Sequence, residues 1–125
     1  MQQDFKTGVD GPLADKIVKR LIASVRQFPK PDSPEEYKAL VVEWRDALNW
    51  PEQSYRPHVY EEAVTSWLAT AKSTSWPPMP GDILEHCGLV MERIYQDPVR
   101  GREMREWNES RKQARIAYLV GDADA

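Results

Sequence analysis

A single cysteine, Cys87, excludes an internal disulfide and fits a reducing compartment. Histidine is almost as scarce. His58 and His86 are the only two, so no Ser–His–Asp grouping can be argued. His86 and Cys87 are neighbours in sequence and would point about a hundred degrees apart on a helix, a poor arrangement for one metal. Cys87 falls on an apolar stripe, where it reads as a small buried residue. No run approaches the ~18 apolar residues of a spanning helix, and Met1–Lys6 lacks the basic-then-apolar pattern of a secretory signal. A cytoplasmic protein is expected. The sequence also lacks a G-x-x-x-x-G-K-[ST] phosphate loop and a G-x-G-x-x-G turn. The net charge of −3 and pI near 5.4 give no bulk positive field to draw nucleic acid. Glu35-Glu36 and Glu61-Glu62 are paired acids, but adjacent residues on a helix do not converge. No catalytic residues, cofactor or metal are therefore expected, and the chain reads as a non-enzyme.

Proline and tryptophan, by contrast, are plentiful, with ten and five. The prolines punctuate a helical pattern. After a polar segment expected to form a flexible tail (residues 1–11), Leu13, Ile17, Leu21 and Val25 step by four, with Val18 and Ile22 widening the stripe. Phe28-Pro29-Lys30-Pro31 stops this helix. Ser33-Pro34-Glu35-Glu36 then supplies an N-cap, a first-position proline and a capping box. The second helix should bury Tyr37, Leu40, Val41, Trp44 and Leu48, and Asn49-Trp50-Pro51 ends it. From Pro57, residues Val59, Tyr60, Ala63, Val64, Trp67, Leu68 and Ala71 follow the i, i+3, i+4 rule. Trp44 and Trp67 are expected in the core. A fourth helix carries Ile83, Leu84, Cys87, Met91, Ile94 and Tyr95 and closes at Asp97-Pro98. The expected fold is all-α: a compact bundle of three to four helices over residues 12–97, then a charged C-terminal helix within 98–125. The end, Gly121–Ala125, is expected to be disordered.

Two stretches could carry function. In Trp76-Pro77-Pro78-Met79-Pro80-Gly81-Asp82-Ile83, three prolines in four residues forbid a helix, while Pro80 suits the first position of the next one. Asp82 falls in that helix's first turn, where its charge is favoured. Trp76 either caps the core at a rigid elbow or, with Pro77 and Pro78, forms an exposed docking ridge. The second stretch holds Arg100, Arg102, Arg105, Arg111 and Arg115, interleaved with glutamates. It reads either as a solvated helix with i, i+4 pairing or as a recognition segment using Trp107, Arg105, Arg111 and Arg115. Tryptophan and arginine are the residues most enriched at binding hot spots.

The middle of the chain resembles the bacteriophage replicative-helicase loader/inhibitor family. The likeness lies in Trp44-Arg45-Asp46-Ala47-Leu48, then Ala63-Val64, then Trp76-Pro77-Pro78, then Ile83, and spans about Leu21 to Leu84. These are core and turn residues, which speak to fold before function. The resemblance implies a non-enzymatic phage or prophage replication protein that binds a DnaB-type host helicase, restrains its ATPase and delivers it to an origin-binding protein. It also implies that a C-terminal segment, here Arg100–Leu119, contacts the helicase. Two alternatives stand beside it. One is a small helical DNA-binding regulator, although glutamates dilute the basic field. The other is a self-associating phage structural or assembly protein in which Trp107 and Tyr118 bury against a second copy.

Overall fold

The computed structural model describes residues 5–72 and 75–124, with side chains to residue 121. It is all-α, with α1 (Gly11–Ser24), α2 (Pro34–Leu48), α3 (Pro57–Thr70), α4 (Pro80–Gln96) and α5 (Pro98–Asp124). No strand occurs among the described residues. Each of α2 to α5 begins on a proline, and α1 has Pro12 at its second residue. A missing N–H is harmless there, because the first turn has no intrahelical acceptors to serve. Two compact units divide the chain, one spanning Lys6–Val90 and the other taking the residues from Met91 onward with Phe5.

In the first unit α1 packs on both α2 and α3. Asp10 caps α1, its carboxylate accepting from the Leu13 N–H at 2.8 Å. The helix buries Ala14, Ile17, Val18 and Leu21, and ends at Ser24. The Phe28 N–H then donates to the Val25 carbonyl, and the Phe28 ring lies 5.8 Å from Trp44. Ser33 accepts from the Glu36 N–H as expected, while the Glu36 carboxylate reaches back to the Asp32 N–H rather than that of Ser33. Of the five residues expected to be buried on α2, only Trp44 and Leu48 are; Tyr37, Leu40 and Val41 are half-buried. Tyr37 instead donates its hydroxyl to the Asp15 carboxylate on α1. That bond, with Lys19 beside it, holds the Asp15 carboxyl below its ordinary range. Burial and the same carboxylate push the Tyr37 phenol up to about 12.

α3 buries Val59, Tyr60, Ala63 and Val64, but Trp67 is half-buried, not a core residue. Ser66 turns inward in its place, hydrogen-bonded to His86 Nδ1 on α4 at 2.9 Å. Lys16 and Arg20 reach from α1 to α3, Lys16 pairing with Glu61 and Arg20 donating to the Glu61 carbonyl and to Thr65 Oγ1. The part of the tail from Thr7 to Asp10 is fastened to the chain between α2 and α3. The Gly8 N–H donates to the Tyr55 carbonyl at 2.8 Å, and the Asn49 amide makes paired bonds with the Val9 backbone at 2.8 and 2.7 Å. Gly8 has φ +84° and would set a β-carbon 3.0 Å from Asn49 Oδ1, so glycine suits both the torsion and the space.

In the second unit, Asp97 forms the whole corner between α4 and α5. Its carboxylate accepts from the Val99 and Arg100 N–H groups, each at 2.9 Å. Gly101 follows, where a β-carbon would meet the Tyr95 and Ile94 carbonyl oxygens at 2.9 and 3.1 Å. Those atoms are backbone and cannot rotate away. Gly101→Ala is therefore expected to destabilise this unit by about 1–3 kcal/mol despite alanine's higher helix propensity. Loss of amide-exchange protection in α5, with less change in α1 and α3, would show it.

α5 buries Gly101, Met104 and Trp107, a narrow edge, and every side chain from Arg111 to Gly121 is exposed. The expected disorder over Gly121–Ala125 is replaced by helix through Asp124, with Ala125 outside the described residues. Extending an existing helix needs no new nucleus, and no proline interrupts it.

Candidate partner-binding groove

Trp76, Pro77 and Met79 each precede a proline, which biases them away from helix and keeps the elbow extended. Pro78 is buried and anchors it, whereas Trp76 and Met79 face solvent. The elbow ends in a half capping box: Asp82 Oδ2 accepts from the Met79 N–H at 2.8 Å, and the Asp82 N–H returns to the Met79 carbonyl at 2.9 Å. This locks the turn where Pro80 starts α4.

Opposite the elbow, Leu40, Glu43, Trp44 and Ala47 share one face of α2 by the i, i+3, i+4, i+7 rule. Together with Phe28, Trp50, Met79 and Leu84 they line an apolar groove of about 940 Å³. Trp44 is buried in it, while Trp50 and Trp76 are 87% and 88% exposed. Isolated exposed apolar side chains are ordinary, but two nearly bare indoles and Met79 on one groove are not. Glu43 and Asp46 are the charged lining residues, and no basic side chain joins them. Asp46 is shared with its neighbour Arg45 at 3.1 Å, while Glu43 makes no ion pair among the described residues.

The groove unites Trp76, Pro77 and Pro78 from the sequence-predicted set. Arg105, Arg111 and Arg115 belong to the other unit, exposed along α5. Trp107 does not stand out as a docking anchor. It is buried, with the Phe5 ring centroid at 5.9 Å and the Arg111 guanidinium 5.6 Å from its own ring centroid, and so secures α5 within its unit. Arg111 is correspondingly engaged in a cation–π contact.

Trp50 was missed as a binding residue. Its signal was available: Trp50-Pro51 repeats the Trp76-Pro77 pair, and Trp50 falls off the α2 stripe that ends in Trp44 and Leu48.

The other chemistry-bearing side chains have structural partners. His58 Nδ1 lies 2.9 Å from Glu62, and His86 is held by Ser66. Cys87 is fully buried, and burial pushes its thiol up to about 12. Among the described residues no group of three metal-ligating side chains gathers. In comparison with known proteins, the chain matches no family model, no curated protein and no solved structure.

Proposed function

We propose that this chain is a non-enzymatic adaptor that holds a partner protein in the groove between α2 and the elbow. The observation that carries the reading is the pair Trp50 and Trp76, nearly fully exposed along a large apolar groove. A folded chain gains nothing from leaving two indoles in water, whereas a partner that covers them gains large, rigid contact area. A groove of this composition suits an amphipathic helix laid in by its apolar face.

The partner we assign is a DnaB-type replicative helicase, with a phage origin-binding protein as the second party, in a bacterial host's cytoplasm. This identity rests on the likeness of Trp44–Leu48, Ala63-Val64, Trp76-Pro77-Pro78 and Ile83 to helicase loader/inhibitor proteins. Because Trp107 is committed to packing, the grip shifts from α5, where the sequence suggested it, to the groove.

Size-exclusion chromatography with light scattering, mixing the chain with a DnaB-type helicase with and without ATP, tests the assignment. A nucleotide-dependent complex is expected. No complex in either condition would overturn the helicase as partner.

A further inference from the structure

The groove has acidic and apolar walls, and the chain carries a segment of the opposite kind. On α5, Ile116, Leu119 and Val120 stand at i, i+3 and i+4, on one face, and all three are exposed. Lys112 lies one turn before Ile116, and Arg115 flanks the same face. From Ser110 to Gly121 there are three basic residues and no acidic one. Buried packing on α5 ends at Trp107; Arg111 lies over that ring and Gln113 bonds back to Glu109, while the apolar face of Ile116, Leu119 and Val120 stays open to solvent.

We propose that the groove of one copy receives the 111–120 segment of α5 from a second copy. Ile116, Leu119 and Val120 lie against Leu40, Trp44 and Ala47 under the indoles of Trp50 and Trp76. Lys112 and Arg115 face Glu43 and Asp46. Charge complementarity selects this occupant: the groove lining carries two acids and no base, and the segment carries bases and no acid. Each copy offers one groove and one helix, and the proposed exchange uses both at once, as a reciprocal two-fold pair rather than a chain growing head to tail. Each contact then supports the other by proximity, so two modest interfaces hold together. A self-occupied groove must open before a foreign partner enters it.

The inference rests on the groove being a docking surface, and not on which foreign protein uses it. Its test accordingly contains no helicase. Light scattering over rising concentration should show mass climbing from 14.4 kDa toward twice that value. In a mixture of ordinary and ¹⁵N-labelled chains, a carbodiimide should join Lys112 of one isotope to Glu43 or Asp46 of the other. The exposed-surface variants Ile116→Glu/Leu119→Glu and Trp50→Ala/Trp76→Ala should each weaken association by on the order of a hundredfold or more. Circular dichroism, and melting at concentrations too low for the parent protein to associate, should match the parent protein. A monomer at every concentration overturns the proposal. So does a dimer whose inter-copy links bypass the groove, or one that survives the α5 variant.

Discussion

Tyr60→Ala is expected to cost about 3–5 kcal/mol, the range for removing a buried aromatic ring. Tyr60 is completely buried on α3, with the Tyr55 ring edge-on at 5.8 Å. Its hydroxyl accepts from the Tyr55 N–H at 3.1 Å. The loss therefore combines a cavity with an orphaned donor in the segment that also receives Gly8. A domain of this size has roughly 5–15 kcal/mol in all, so the variant should be largely unfolded in mild denaturant. Tyr60→Phe separates the two effects. It keeps the ring and removes only the acceptor, and should cost about 1–2 kcal/mol. Urea melts of the three proteins check this. Equal losses for both variants would mean that the ring contributes little beyond its hydroxyl.

The double variant Trp50→Ala/Trp76→Ala should behave in the opposite way. Both side chains are nearly bare, so stability should move by no more than about 0.5 kcal/mol. Partner binding should fall steeply. Central tryptophans at interfaces are typically worth 2 kcal/mol or more each, about thirtyfold apiece in affinity. Titration calorimetry with the proposed helicase partner reads the loss directly. A buried neighbour, Trp44→Ala, provides the contrast, because it should lose stability and binding together. An unchanged affinity in the double variant would remove the groove from the binding account.

Most of the architecture was legible because the punctuation is strong. Prolines at helix starts, the Ser33 cap and the four-step stripe of α1 are local signals that packing had no reason to override. The errors arose where packing chose among equivalent positions. On α3 the stripe admits both Trp67 and its flank, and it is Ser66 that turns inward, where a hydrogen bond between its hydroxyl and His86 on α4 satisfies it. The attachment of Thr7–Asp10 depends on Asn49, about forty residues away, and no local pattern reports such a pairing. For the groove, the elbow was visible as a rigid extended turn, but not which face of it was open. For Trp107 the sequence left a solvated helix and a recognition segment open, and its packing partner, Phe5, comes from the far end of the sequence where no local pattern reports it.

The distribution of indoles has an optical consequence. Trp44 and Trp107 are shielded, Trp67 is partly so, and Trp50 and Trp76 are open to the solvent at the groove. The red-shifted, easily quenched share of the intrinsic emission thus originates at the groove proposed as the docking surface. Any occupant of the groove must turn that share blue and shelter it from acrylamide, so the protein reports its own occupancy without a dye.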